Sequence, residues 1–93
     1  MDNPISCSNE TVREQLIAVE GFRLTYTLYR SKFKIDGRRI FSVKITLADE
    51  VGAYDAFACD ITRNRSRAFQ IYNLLCKGTV TPCTLNDILE DIL

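Results

Sequence analysis

A chain of 93 residues, 46% apolar and 26% charged, is long enough for one modest core and too apolar for a disordered segment. Its twelve basic and twelve acidic residues cancel, which disfavours a general nucleic-acid binder, since those usually carry net positive charge. It has no histidine, which removes Ser–His and Cys–His nucleophile pairs, the imidazole general base and every histidine-containing metal site.

Residues 1–20 are weakly patterned. Asn9 suits the cap of a short helix over residues 11–18, while Leu16-Ile17-Ala18-Val19 equally begins a strand. The reading is a weakly structured N-terminal lead-in, residues 1–20, before a single domain of residues 21–93. These first residues lack an apolar signal region, and no run approaches the roughly 18–20 apolar residues of a membrane span. A soluble, cytoplasmic protein is expected.

From Phe22 the pattern sharpens. Phe22, Leu24, Tyr26 and Leu28 alternate with Arg23, Thr25, Thr27 and Tyr29, the period of a half-buried strand. The apolar positions then change parity to Phe33 and Ile35, which calls for a bulge or break around residues 30–32. Asp36-Gly37 is a strong hairpin signal. Val43, Ile45 and Leu47 alternate with Ser42, Lys44 and Thr46 in a second strand, and Asp49, Glu50 and Gly52 mark a loop. A third strand covers residues 54–61, with Phe57, Cys59 and Ile61 assigned to the inward face.

Asn64 caps a helix over residues 65–76, with Gly78 as its stop and Ala68, Ile71, Tyr72 and Leu75 as its buried face, flanked by Phe69 and Cys76. Thr84 with Asp87 three residues on has the form of a capping box. Leu85, Ile88, Leu89, Ile92 and Leu93 then form the apolar stripe of a last amphipathic helix. The expected fold class is α+β: a three-stranded antiparallel β-meander followed by two helices packed on one face of the sheet, in the order β-β-β-α-α.

The segment Asp60-Ile61-Thr62-x-Asn64, the apolar-faced helix, and Val80-Thr81-Pro82-x-x-Leu85-x-Asp87-Ile88-Leu89-Glu90-Asp91 resemble a family of short bacterial proteins designated domain of unknown function 6514. The likeness is sharpest over residues 60–93. Phe41-Ser42-Val43 stands where family members tend to carry an aromatic-Gly-Ile segment, and Thr84 where they often carry a histidine. The resemblance implies a fold and a bacterial setting; it implies no activity.

No catalytic constellation emerges, so the chain is read as no enzyme. Its glycines are isolated, without a phosphate-cradling motif. The four cysteines contain no C-x-x-C pair; in a cytoplasmic chain they are expected as free thiols, with Cys59 and Cys76 as small core residues, and no metal or cofactor is expected. Asp87, Glu90 and Asp91 share a helical turn and are read as a solvated face.

Charge is segregated along the chain. Residues 22–47 carry seven Lys/Arg against Asp36 alone, and residues 48–62 carry four acids and no base. Mutual neutralisation in the fold is the default reading, and the Arg63, Arg65 and Arg67 run is the exception worth following. Cations in the first turn of a helix oppose its dipole, at about 0.3–1 kcal/mol each, unless something negative sits opposite. The run is therefore a candidate anion-binding site; pairing with Asp55, Asp60 or the acidic segments, or plain solvation, is the alternative.

The second candidate is the sheet face away from the helices, assigned to Arg23, Thr25, Thr27, Tyr29, Ser42, Lys44, Thr46, Tyr54, Ala56 and Ala58, with Tyr29, Lys44 and Tyr54 as its interaction residues. The expectation is a protein-interaction or self-associating module, with a protein partner or a second copy in a homodimer. The other reading is a binder of a small anionic or phosphate-containing ligand at the basic helix start. Neither a membrane nor a nucleic acid is expected as partner.

Overall fold

The computed structural model describes residues 9–34 and 37–92. It contains β1 (Asn9–Val19), β2 (Phe22–Ser31), β3 (Phe41–Ala48), β4 (Ala53–Thr62), α1 (Arg65–Lys77), a 3-10 turn (Pro82–Thr84) and α2 (Leu85–Ile92). The four strands form one antiparallel sheet in the order β1-β2-β3-β4, and both helices contribute to a single core on one of its faces.

The sheet has four strands where the sequence suggests three. Residues 9–19 are not a lead-in or a helix but an edge strand, paired with β2 from Asn9↔Ser31 to Val19↔Phe22. Thr11, Val12, Ile17 and Val19 are β-branched and fit a pleated surface, and Ile17 lies opposite Leu24 on the core side. Gly21, at φ 93°, makes the two-residue connection to β2. The helix reading fails because β1 gains a whole ladder of backbone hydrogen bonds from β2, a long-range reward that local pattern does not carry. Residues 1–8, Cys7 included, lie outside the described residues.

The parity switch after Tyr29 marks the end of β2. The strand stops at Ser31, so Phe33 leaves the sheet and is 71% exposed. Ser31 closes the mouth of the β2–β3 connection: its N–H donates to the Ile40 carbonyl at 2.8 Å, and its Oγ accepts from the Ile40 N–H at 2.9 Å. The connection spans nine residues, 32–40; Gly37 has φ 80°, as a tight turn requires, while Asp36 lies outside the described residues. At the other hairpin Asp49 Oδ1 accepts from the N–H groups of Val51 and Gly52 at 2.8 and 2.9 Å.

β4 departs from its expected facing. Ala56 and Ala58 lie opposite Ile45 and Val43 and pack on the core, whereas Phe57 lies opposite Lys44 on the open face. Phe57 and Cys59 are exposed, and only Ile61 of the expected inward set is buried. The cause is a register shift between Phe41 and Val43: Val43 pairs with Ala58 but Phe41 with Thr62, leaving three β4 residues opposite Ser42. Asp60 absorbs the shift at φ 51°, and its N–H donates to Ser42 Oγ at 3.3 Å.

Two buried tyrosines tie the layers together. Tyr72 of α1 donates its hydroxyl to the Tyr26 carbonyl at 2.9 Å, and Tyr26 donates its own to the Val80 carbonyl at 2.8 Å. α1 buries the expected face, with Asn64 Oδ1 accepting from the Arg67 N–H at 3.0 Å. Its end is a Schellman motif: the Val80 N–H reaches the Leu75 carbonyl at 3.1 Å and the Thr79 N–H the Cys76 carbonyl at 3.2 Å. Thr79, not Gly78, takes the left-handed conformation, at φ 51°. At Gly78 a Cβ would stand 3.2 Å from the Leu74 carbonyl oxygen, a tight approach that the neighbouring backbone would have to relieve by a few tenths of an ångström.

Thr84 is not the cap of the last helix. The turn begins three residues earlier at Thr81, with Pro82 in first position, and Thr84 Oγ1 donates back to the Thr81 carbonyl at 3.2 Å. Leu85 and Leu89 are buried, and Ile88 and Ile92 pack against the core. Leu93 lies outside the described residues.

Candidate functional site

One row across the sheet positions the site. Glu10 lies opposite Arg30, Arg30 opposite Phe41, and Phe41 opposite Thr62, so the four strand ends stand side by side. The chain leading into β3 therefore lies beside the turn from β4 into α1. Between them is an open cleft of about 490 Å³, lined by Arg30, Arg38, Arg39 and Phe41 from one segment and Arg63, Asn64, Arg65 and Ser66 from the other. Five arginines line one concavity, and among the described residues no carboxylate lines it.

Among the described residues, Glu10 on β1 bonds two of the cleft's arginines. Its Oε1 accepts from Arg30 Nε at 2.7 Å, from Arg30 Nη2, and from Arg39 Nη1 at 3.0 Å. The hydrogen bond from Arg30 holds this carboxyl below the usual carboxylate range, with the charges of Arg30, Arg39 and Lys32 acting in the same direction against desolvation. Glu10 thus fixes two of the five arginines. Below the cleft the first turn of α1 has no acidic residue, so the positive end of its dipole adds to the field. The Arg65 guanidinium also lies 5.5 Å from the centre of the Phe69 ring, over which Arg13 sits at 5.4 Å.

Of the three arginines in the sequence run, Arg63 and Arg65 line the cleft and Arg67 does not. Arg67 turns along the helix, donating to Gln70 Oε1 at 3.4 Å and to the Ile92 carbonyl at the end of α2. Arg30, Arg38 and Arg39 are the residues that sequence reasoning missed. Their signal was the block of seven cations in residues 22–47, which reads as strand charge until the β3–β4 register sets its end beside α1.

The open sheet face is assembled differently from its sequence reading. Tyr29 and Lys44 do lie on it, but Tyr54 lies opposite Leu47 on the core side, at the far end of the sheet. Ala56 and Ala58 also face the core. Phe57 takes their place: its ring centre is 5.8 Å from that of Tyr29, tilted by 56°. Around this pair, Lys44 Nζ lies 3.9 Å from Asp55 Oδ2, and Thr27 Oγ1 donates to Glu14 Oε2 at 3.3 Å.

Among the described residues no three or more Cys, Asp or Glu side chains gather in a metal-binding group, and Cys59, Cys76 and Cys83 are free thiols. Cys76 is buried, which pushes its thiol up and away from the reactive thiolate; Cys59 is exposed, contrary to its expected place in the core. Among the described residues no helix is long and apolar enough to cross a membrane.

Comparison with known proteins places the chain in a family whose function is unknown. The model of the family of unknown function DUF6514 matches residues 5–93, essentially the whole chain, and the chain belongs to that family. No curated protein and no solved structure matches it.

Proposed function

We propose that the chain is a non-enzymatic binding protein whose ligand is a phosphate-bearing anion held in the arginine cleft. The observation that carries this reading is the convergence of five arginines from two separate segments on one concavity. Arg30 and Arg39 are held by Glu10 while Arg38 and Arg65 stand on the two walls, so an incoming oxyanion meets guanidinium donors from both segments. Guanidinium forks match phosphate oxygens in pairs, which a lysine cannot do. The exposed free thiols at Cys59 and Cys83 fit a reducing compartment, and we place the protein in the bacterial cytoplasm.

The test is ligand-linked stability. Thermal unfolding with inorganic phosphate, against chloride at equal ionic strength, is expected to raise the midpoint; saturation at about a hundred times Kd stabilises by about 2.7 kcal/mol. Arg39→Ala and Arg65→Ala, one from each wall, are expected to remove the shift. An identical response of wild type and both variants refutes the reading.

A second reading, a protein-interaction module or homodimer, is favoured by the Tyr29–Phe57 pair on the open sheet face, where Phe57 is 44% exposed. It predicts concentration-dependent mass in light scattering, abolished by Phe57→Asp. A clean monomer removes the homodimer.

A further inference from the structure

The two edges of the sheet are built differently, and the difference points to a partner. Resting on the interaction reading above, we infer that β4 is a self-pairing edge: it adds antiparallel to β4 of a second copy, centred on Phe57, and joins the two four-stranded sheets into one.

The edge is open along most of its length. The Asp49 N–H donates to the Gly52 carbonyl at 2.9 Å, closing the β3–β4 hairpin on a hydrogen-bonded pair. Bonded and non-bonded pairs alternate from there, so Tyr54 and Ala56 turn their backbone groups to β3, while Ala53, Asp55 and Phe57 turn theirs outward. Among the described residues, no backbone group outside the sheet's own ladders meets them. Ala53, Asp55, Phe57 and Cys59 are all exposed.

Bare edges are templates for pairing, and proteins blunt them with charges, prolines and bulges. β1 carries such devices: a register shift at Val12, with Glu10, Arg13 and Glu14 around it. β4 has no Lys, Arg or Pro, and its Ala56-Phe57-Ala58-Cys59 run is uncharged. One blunted edge and one open edge favour a contact that closes on itself. Two copies joined through β4 present only β1 at their outer edges, so assembly stops at a dimer. This asymmetry is what commits the edge to a second copy.

Facing and charge select the register. The helices of both copies pack on their sheets in one continuous arrangement only when a residue lies opposite one of its own parity. Centring on Asp55 sets that carboxylate against its own copy, and centring on Ala56 makes the two Asp55 residues diagonal neighbours; both oppose like charges. Centring on Ala58 runs Asp55 into Ile61, past the distortion at Asp60. Centring on Phe57 avoids all three. Asp55 then lies opposite the partner's Cys59, and the two Asp55 residues stand four residues apart, roughly 13 Å along the strands. Phe57 meets the partner's Phe57, and each ring already lies 5.8 Å from a Tyr29, so one aromatic row crosses the junction.

Sedimentation equilibrium of the reduced full chain is expected to show mass rising with concentration from monomer to twice that value. Asp55→Pro deletes an outward N–H without touching a bond to β3, and it leaves the Tyr29–Phe57 face in place. It is expected to weaken dimerisation at least about tenfold, with circular dichroism matching the wild type. A second readout does not depend on that variant folding. Opposed residues of a bonded pair lie about 5.5 Å apart at Cα, within disulfide reach. Mild oxidation of Asp55→Cys is therefore expected to give a covalent dimer linked from position 55 to the partner's Cys59, and adding Cys59→Ser is expected to abolish it.

A monomer at every concentration overturns both the inference and the homodimer reading it rests on. A dimer broken by Phe57→Asp but not by Asp55→Pro, with no link between positions 55 and 59, overturns the inference alone and moves the contact to the open sheet face. Species larger than a dimer overturn the closure at β1.

Discussion

Removing one hydroxyl at the centre of the fold gives the sharpest test of the packing. Tyr26 is 1% exposed, and its hydroxyl donates at 2.8 Å to the carbonyl of Val80, the residue that seats the end of α1 on the core. Tyr26→Phe keeps the ring and deletes the donor, leaving a buried carbonyl short of a partner at a cost of about 1–3 kcal/mol. In a domain this size each kcal/mol is worth roughly 4–8 °C in Tm. The pH dependence isolates the hydroxyl from general damage. Burial pushes Tyr26 from 10.0 up to about 12, with the neighbouring Cys76 acting in the same direction. A raised pKa means that the stabilisation is intact below the unfolded value and drains away as pH rises toward the folded one. Between pH 10 and about pH 12 the wild type therefore loses stability that Tyr26→Phe cannot lose. The gap between the two proteins is expected to close by about 1.4 kcal/mol per pH unit. Urea midpoints across that range measure it. A gap that stays constant as pH rises refutes the assignment of a buried, donating Tyr26.

Arg67→Ala is expected to cost about 0.5–1.5 kcal/mol by releasing the Ile92 carbonyl, and to leave phosphate binding unchanged; a loss of binding in titration returns Arg67 to the site. Thr79→Gly is expected to stabilise by about 0.5–1 kcal/mol, because relief of a left-handed threonine outweighs the added entropy of the unfolded chain; a lower urea midpoint contradicts the φ of 51° assigned there. Glu10→Gln is expected to tighten phosphate binding several-fold and to flatten the acid limb of stability. A depressed carboxyl contributes stability above its unfolded pKa and loses it as pH falls through the folded value, so an unchanged acid limb refutes the Glu10–Arg30 link.

Where one face of an element is apolar, the sequence was legible. Leu24, Tyr26, Leu28, Val43 and Ile45 are buried as their alternation requires, and Ala68, Ile71, Tyr72, Leu75 and Cys76 form the inner face of α1 as their spacing requires. β1 was not legible, because an edge strand with a solvated outer face owes its structure to pairing with β2 rather than to its own pattern. Leu16 illustrates this: it is apolar, yet it points to the open face opposite Thr25 and is 61% exposed. β4 misled for another reason. Alternation predicts facing only while register is continuous, and the Asp60 distortion lies between Phe57 and Ile61. No glycine marks it, since Asp tolerates the left-handed region.

The same irregularities explain why half of the cleft escaped a sequence reading. In β1 the register shifts by one residue at Val12, between Thr11 and Arg13. Continued without that shift, the pairing of Arg13 with Leu28 would set Thr11 opposite Arg30 and turn Glu10 to the other face of the sheet. The extra residue is what brings Glu10 to the arginines. In β4 the shift consumes two extra residues between Ala58 and Thr62, roughly 7 Å of strand. Without it Phe41 would pair with Asp60, and Arg63 and Arg65 would overshoot the wall that carries Arg38 and Arg39. Both shifts lie along one line across the sheet, next to Tyr29 and Ser42, and Glu10, Arg30 and Phe41 lie just beyond it. Bulges concentrate where a fold re-aims side chains for use. Two on neighbouring rows, each needed to bring charge to the same place, make the arginine cleft a product of the fold rather than a by-product of surface composition.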